Sequence, residues 1–321
     1  MARRFGRVAS LQVINAAGIF SLESGATGLR IHAEVTKTLE PAANTAKIDV
    51  YNLSKTSRDI LAKKVKTVVN FNAAQRAMLQ AIGSEVTSRS FSYSEIGMAS
   101  VELRAGYEGG EEGLIFEGEA QRTDHDHSGG TEWRTTLMCN DSATGIREGK
   151  LNKTFPPGIE MAEVVADLVR SMGVRITPVT KSILTLALTR VGASAVTFPM
   201  GYTASGKSWS QIQQILEFVD VKWSIQDGEF VILAEDGSLG SAPIPVGVET
   251  GMIGSPRDLE DGKWEVRSLL DHRIKPGGTV SVTSKYVDGV FRVDQARYTV
   301  DTGGSGLHAV TAIVSPLEPY G

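Results

Sequence analysis

The stretch that decides the fold runs from Thr197 to Val282. It begins with TFPMGYTASGKS (197–208) and later reads VKWSIQDGEFVIL (221–233), GMIGSP (251–256), EVRSLL (265–270) and KPGGTVSV (275–282). Asp227-Gly228 is a dipeptide of short turns with positive φ, so it predicts a β-hairpin between two apolar runs. The segment before the hairpin places its apolar residues at helical spacing. These residues are Trp209, Ile212, Ile215, Leu216 and Val219.

The same stretch matches a phosphate-binding pattern. Gly201–Ser208 fits G-x-x-x-x-G-K-[ST], in which backbone N–H groups hold phosphates, the lysine reaches the terminal phosphates and the hydroxyl binds magnesium. Such a loop follows a central parallel strand, whereas here Pro199 precedes it and a hairpin follows the helix. We interpret the match as a chance pattern and keep nucleotide binding as the alternative function.

Composition limits the class of protein. A length of 321 residues suggests about two domains, and 41% hydrophobic with 22% charged residues is ordinary for a chain with a real core. Cys139 is the only cysteine, which excludes an intramolecular disulfide and favours folding in a reducing cytoplasm. The net charge of -4 argues against a large nucleic-acid-binding surface. No apolar run has the length of a membrane-spanning helix, and the N-terminal stretch alternates like a strand instead of forming a signal peptide.

The first part of the chain is dominated by strand patterns. Apolar and polar residues alternate over residues 29–36 and 46–50, and strands are predicted again near 101–105, 113–120 and 133–139. Ser54 is a candidate N-cap for a short helix from Lys55 to Lys64. An apolar stripe over Ala74–Ile82 predicts an amphipathic helix, inserted at about 67–98 and followed by a Ser/Thr-rich loop. This insertion is either an interaction element or a local cap over the strands.

Two histidines suggest a metal site only weakly. His125 and His127 lie two residues apart, with Asp124 before them and Asp126 between them. On an extended segment both rings point the same way, as a pair of zinc ligands would. Two ligands do not close a four-coordinate site, so we interpret the segment as a solvated hairpin turn.

The middle and the end of the chain differ in pattern. Residues 162–172 have helical spacing and stop at Gly173, and a Phe-Pro-x-Gly sequence stands before this helix (Phe155–Gly158) and again before the next (Phe198–Gly201). After residue 245, turn dipeptides separate short apolar runs such as Val280–Val282 and Val290–Val293. Regular turns between short strands predict a second barrel or sandwich.

Enzyme signatures are missing from the sequence. It has no G-x-S-x-G, no H-E-x-x-H and no cysteine with a protease pattern. The acidic pairs Glu111-Glu112 and Glu260-Asp261 are adjacent residues in turn-rich segments, which favours solvated surface over a glycosidase-type acid–base pair. We therefore predict a non-enzyme without catalytic, cofactor-binding or metal-ligating residues.

The order of several short sequence motifs resembles that in a known protein family. It includes Asn44-Thr45-Ala46, Tyr51–Ser54, Ala105-Gly106-Tyr107, Asn152–Gly158 and the stretch quoted at the start. In this order they are similar to the baseplate hub proteins of contractile-tailed bacteriophages, the late control protein D-like family, which is related to the spike hubs of type VI secretion. The resemblance spans roughly Leu29 to Pro316, and the inserted helix is its main departure.

The resemblance implies an α+β, β-dominated fold. Two antiparallel, tube-like β-barrel domains are joined by a middle region with helices and a hairpin. Residues 1–150 would form the N-terminal barrel domain, 151–245 the middle α+β region, and 246–321 the strands that complete the second barrel domain.

The resemblance also implies a structural function in the virion. A homotrimer with two barrels per subunit would adapt the six-fold tail tube to the trimeric central spike, with baseplate wedge proteins and the tape measure protein as further neighbours. DNA would touch it only in transit through the lumen. The expected location is the tail baseplate, after assembly in the host cytoplasm. A cell-wall-targeting tail module is a further alternative.

Overall fold

The fold is described from a computed structural model. It describes residues 6–15, 18–62, 99–127, 132–191, 196–217, 219, 221–234, 237–240, 242–259, 262–304 and 306–317. The predicted inserted helix and the Glu260-Asp261 pair lie outside these residues. Among the described helices, none has the length and apolar character needed to cross a bilayer.

Strands dominate the first part of the chain, as the alternating pattern predicts. Ser54 caps the second helix, since its hydroxyl accepts the N–H of Ser57 at 3.1 Å. The elements are β1 (Arg7–Asn15), β2 (Gly18–Glu23), α1 (Ser24–Thr27), β3 (Ile31–Thr38), β4 (Thr45–Tyr51), α2 (Lys55–Ala62), β5 (Ala99–Tyr107), β6 (Gly113–Asp126) and β7 (Arg134–Asn140).

The middle of the chain contains the predicted helices and hairpin. Asp227 and Gly228 have φ of 51° and 71°, the left-handed pair that a two-residue hairpin turn requires. The elements are α3 (Ala143–Glu148), β8 (Lys153–Phe155), β9 (Ile159–Glu160), α4 (Met161–Ser171), β10 (Arg175–Ile176), α5 (Pro178–Val191), β11 (Thr197–Phe198), β12 (Tyr202–Ala204), α6 (Ser208–Leu216), β13 (Val221–Gln226) and β14 (Glu229–Ala234). Sequence patterns did not predict α5, because it is rich in threonine and lacks a one-sided apolar stripe.

The last part of the chain is again made of strands, and the predicted runs at 280–282 and 290–293 lie in two of them. A 3₁₀ turn covers Val248–Thr250. The strands are β15 (Ile244–Gly247), β16 (Arg257–Asp258), β17 (Trp264–Leu269), β18 (Thr279–Thr283), β19 (Asp288–Asp301) and β20 (Ala309–Pro316).

Strands from both ends of the chain form one 13-stranded sheet. Its order is β16-β17-β20-β19-β3-β4-β7-β6-β5-β1-β2, and β15 and β18 join it at β19. The long strand β19 has a bulge between Val293 and Gln295; the part before the bulge pairs with β18 and the part after it with β3. Apart from the parallel pair of β15 and β18, all these pairings are antiparallel.

This continuity differs from the two separate barrels expected from the sequence. The described strands join both ends of the chain at the β3–β19 pair, and no pairing among them links the edge strands β2 and β16. Alternation in a strand shows which face is buried but not which distant strand completes the ladder. Two closed barrels therefore stay a prediction.

Two hydrophobic clusters lie on either side of a polar boundary. The larger one combines residues from 9–139 with residues from 246–314, including Ile48, Leu103 and Tyr298. The smaller one belongs to the middle of the chain, where α4, α5 and α6 cover the β13–β14 hairpin around Leu168 and Phe230. The β-dominated sheet and the helical middle region thus have separate cores.

A buried histidine closes the seam between the first and last strands. The Nδ1 atom of His308 accepts the N–H of Asp301 at 3.3 Å, and Nε2 lies 3.0 Å from the carbonyl oxygen of Gly106, to which it donates. The Tyr107 hydroxyl donates to the carbonyl of His308 and accepts the N–H of Leu270. Burial lowers the pKa of His308 to about 4.

Replacing Ile48 tests the larger core. Ile48 is fully buried in β4, so Ile48→Ala should lower the free energy of unfolding by about 2–5 kcal/mol through lost burial and a residual cavity. Met138 is 44% exposed on the neighbouring strand, so Met138→Ala should cost roughly 0.5 kcal/mol or less. Urea denaturation measures both. Equal losses in the two variants would contradict the assignment of the buried face.

His308 should make stability depend on pH in the acid range. Its folded pKa of about 4 lies below the ordinary 6.5, so the folded state favours the neutral ring. The resulting stability is complete above pH 6.5 and is lost as pH falls toward 4, by up to about 3 kcal/mol. The variant His308→Gln keeps a donor and an acceptor but does not titrate. Its stability, measured by thermal unfolding, should therefore fall less than that of the wild type as pH is lowered from 6.5 toward 4. Identical acid profiles for the variant and the wild type would refute it.

Candidate functional site

The Gly201–Ser208 segment is a strand leading into a helix. Its residues Tyr202–Ala204 form β12, which pairs antiparallel with β8. The strand before it, β11, pairs antiparallel with β9 in a two-stranded ladder. A phosphate-binding loop would instead connect a central parallel strand directly to the helix. The described surroundings therefore lack the context that this motif needs.

The backbone N–H groups of this segment already have protein partners. The N–H of Gly206 donates to Oδ1 of Asn152 at 3.0 Å, and that of Ser208 donates to the carbonyl of Gly149 at 3.0 Å. The N–H of Gly201 donates to the carbonyl of Phe198 at 3.0 Å. A phosphate would have to replace these bonds.

The Ser208 side chain of the motif also has a structural role. Ser208 is fully buried, and its hydroxyl lies 2.6 Å from the hydroxyl of Ser171 on α4. The Lys207 side chain is exposed at the helix start. The hydroxyl that would bind magnesium therefore holds α6 against α4.

The two Phe-Pro-x-Gly sequences come together in space. The N–H of Gly158 donates to the carbonyl of Phe198 at 2.8 Å, and Phe155 pairs with Tyr202. Gly158 and Gly201 have φ of 81° and 80°, the left-handed region that favours glycine. The prolines and Met200 are exposed, and Met200 is 91% accessible. The repeated motif is visible in the sequence, but only the fold shows that its two copies lie side by side and expose apolar side chains together.

His125 lies in strand β6 and not in the predicted hairpin turn at Asp124–His127, whereas His127 follows the last residue of that strand. Strand β6 continues to Asp126, because the ladder with β7 extends that far. Nδ1 of His125 lies 3.0 Å from the hydroxyl of Thr135, and burial lowers the pKa of His125. The described residues contain no group of three His, Cys, Asp or Glu side chains that could hold a metal ion.

His127 belongs to a stacked group. Its ring stacks on Trp133 with centroids 4.4 Å apart, and the Arg58 guanidinium carbon lies 4.0 Å from the centroid of the Trp133 ring. Stacking of this kind joins α2 to the β6–β7 pair. The histidine pair is thus used in packing.

The acidic pair Glu111-Glu112 borders an open cavity of about 480 Å³ that includes Glu111 in its wall. Glu112 accepts a hydrogen bond from the Ser10 hydroxyl. Across the cavity, Asp271 forms an ion pair with Arg273 at 2.8 Å. Glu112 is thus bonded to Ser10, whereas Glu111 lines the cavity. Cys139 is buried, and burial raises the pKa of its thiol to about 12, which makes it a poor nucleophile.

One face of the sheet is polar over many strands. Strand register aligns a continuous row on this face, from β17 to β6: Arg267, Thr311, Arg297, Thr36, Thr45, Asn140 and Glu119. In the next row Glu34 pairs with Lys47, and Lys47 also lies 3.8 Å from Asp49. Sequence reasoning missed this face as a unit. Each strand showed its polar positions, but their alignment depends on register.

Comparison with known proteins identifies a family. The family model described as Baseplate hub gp41 matches residues 19–303. No curated protein sequence matches the chain. Among solved structures, the 43 kDa tail protein of prophage MuSo2 from Shewanella oneidensis is 8% identical, with a TM-score of 0.56 and coverage of 97% of this chain and 98% of that one.

The tail protein from Neisseria meningitidis MC58 is also 8% identical, with a TM-score of 0.56 and 96% of each chain covered. At this identity the structural likeness shows the fold. The family match rests on the sequence and spans most of the chain, in agreement with the resemblance described above. The chain therefore belongs to the baseplate hub gp41 family.

Proposed function

We propose that this protein is the hub that connects a six-fold tail tube to a three-fold central spike in a contractile tail. Membership of the baseplate hub family gives a structural role in a phage tail baseplate. The observation that carries the finer proposal is the sheet in which β3 and β19 join the two ends of the chain. A continuous sheet of this width suits a structural subunit that transmits force through the tail.

The proposed match between three-fold and six-fold symmetry rests on two sheet halves per subunit. The strands before residue 150 and those after residue 246 lie on opposite sides of the β3–β19 pair. In the proposed trimer each half curves into a tube-like barrel, and three copies place six barrels around the axis. The middle region, 151–245, lies on this ring as a separate helical unit with its own core.

The polar face of the sheet is the surface we assign to the bore. It includes pairs of opposite charge, such as Arg122 with Asp124 at 2.7 Å and Lys47 with Asp49 at 3.8 Å. A polyanion is held by uncompensated lysines and arginines. Paired charges of both signs let DNA pass without being retained, which agrees with the net charge of -4.

The proposed partners are those that the family resemblance implies. Tube protein would contact one side of the ring and spike protein the other, with wedge proteins outside and the tape measure protein at the bore. The exposed turns at Pro157 and Met200 offer an uncharged contact surface for such a neighbour. Assembly would take place in the host cytoplasm before the hub becomes part of the virion.

The alternative function, nucleotide binding, has a direct test. The wild type should show no saturable ATP or GTP binding by calorimetry, because the Ser208 hydroxyl is occupied. Lys207→Ala should support normal particle assembly, as should the matched control Lys285→Ala at another exposed lysine. Micromolar nucleotide affinity that disappears only in Lys207→Ala would establish the alternative.

The position in the particle tests the proposed function itself. Electron microscopy of purified particles should show this chain in three copies at the junction of tube and spike, since the symmetry change requires a three-fold part there. Six or more copies at the outer baseplate would make it a wedge protein. A chain bound to peptidoglycan at the tail tip, with no contact to the tube, would support a cell-wall-targeting module.

A further inference from the structure

A buried ion pair docks the middle region on the sheet. Lys37 on β3 points toward the interior, and its Nζ atom lies 2.7 Å from both carboxylate oxygens of Asp227. Asp227 stands at the turn of the β13–β14 hairpin, which belongs to the smaller core. The Lys37 side chain is 1% exposed and that of Asp227 14%. The contact therefore lies in the polar boundary between the two hydrophobic clusters.

Further hydrogen bonds surround this pair. The N–H of Glu117 on β6 donates to Oδ1 of Asp227 at 3.2 Å. The Asn44 amide donates to the carbonyl of Ile225 on the hairpin at 2.8 Å. Removing one partner from such a network leaves a buried group uncompensated, so the hairpin depends on the whole set.

Asp141 is the third charged group of the cluster, and its surroundings are unusual. It is 1% exposed, and its Oδ1 atom accepts the N–H of Gly228 at 3.1 Å and the hydroxyl of Ser142 at 2.8 Å. Its Oδ2 atom is buried and has no hydrogen-bond partner among the described residues. A buried carboxyl group with one unbonded oxygen favours the neutral, protonated form over the ion, because burial penalises the charge.

The charges around Asp141 favour the same form. Burial, and then the negative charge of Asp227, raise the pKa of Asp141 to about 7, against the lowering effects of the Ser142 hydroxyl and of Lys37. Lys275 lies 3.8 Å from Asp227, and the Arg175 guanidinium donates to the carbonyl of Asp227 at 2.7 Å. The centroid of the Tyr298 ring lies 6.0 Å from Nζ of Lys37, and Glu119 on β6 accepts two hydrogen bonds from Thr144. Asp141 thus carries its proton into the neutral range.

We propose that Lys37, Asp227 and Asp141 form a proton-controlled latch. The latch holds the hairpin of the middle region against the sheet while Asp141 is protonated, and it loosens when Asp141 ionises. Ionisation places a second carboxylate beside Asp227 in a buried site where Lys37 is bonded to the first. This movement takes place within one subunit and is independent of the proposed function.

The direction of the pH effect follows from linkage. An undocked Asp141 has an ordinary pKa near 4, whereas the docked group keeps its proton to about pH 7. The docked state therefore binds more protons between these values. Opening of the latch should rise with pH by up to about tenfold per unit between pH 4 and 7, and then level off.

Hydrogen exchange of the full chain tests the latch. In the wild type, the protection factors of amides in 221–234, corrected for intrinsic exchange, should fall between pH 5 and pH 7 by roughly tenfold per unit at most and stay constant above pH 7. Asp141→Asn keeps the shape and an acceptor for the Gly228 N–H without the titration, so its hairpin protection should not change over this range. The β5 amides serve as an internal reference for global opening.

Lys37→Met supplies the second arm of the test. It leaves Asp227 buried without its ammonium, so the hairpin should lose protection at every pH while β5 stays protected. Lys47→Met, an exposed lysine on β4, is the matched control and should behave like the wild type. Parallel pH profiles for the wild type and Asp141→Asn, or equal changes in the hairpin and in β5, would overturn the proposal. If Lys37→Met fails to fold, the comparison with Asp141→Asn alone decides.

Discussion

The antiparallel pairing of β3 with β19 supports the rest of the structure, because it joins strands that are more than two hundred residues apart in the sequence. Gln295 pairs with Thr38 and Asp301 with His32, without a register shift between them. This register puts Val35 beside Tyr298 on the buried face. A slip by one residue would expose every buried side chain of the pair, so the core fixes the register as firmly as the hydrogen bonds do.

The middle region is attached to this sheet by a different kind of contact. Its own core is apolar, around α4 and the β13–β14 hairpin. Its junction with β3 is an ion pair with one buried ammonium, Lys37. Buried ion pairs contribute little net stability compared with apolar packing, but they are strict about geometry. This contact fixes the position of the hairpin turn against β3 through buried polar groups.

The motifs that suggested a reactive site are used in packing among the described residues. The segment that looked like a phosphate loop uses its N–H groups and the Ser208 hydroxyl to fix α6. The histidine pair is used in packing against Thr135 and Trp133. The polar face of the sheet and the turn at Met200 are exposed to solvent, and we propose them as contact surfaces. These are the features expected of a part in a larger assembly, and the family match agrees with them.

The sequence by itself determined the local elements and the family. Alternation in β3 and β4, the apolar stripe of α4 and the Asp227-Gly228 turn each follow from the conformational preferences of neighbouring residues, which a short window contains. The helix α5 was not predicted, because its threonines and its weak apolar stripe do not indicate an amphipathic helix. Only the tertiary structure decided that both ends form one sheet, that the Phe-Pro-x-Gly turns meet, and that Lys37 is buried against Asp227. Local periodicity shows which side of a strand is buried, whereas the identity of the partner depends on packing between residues far apart in the chain.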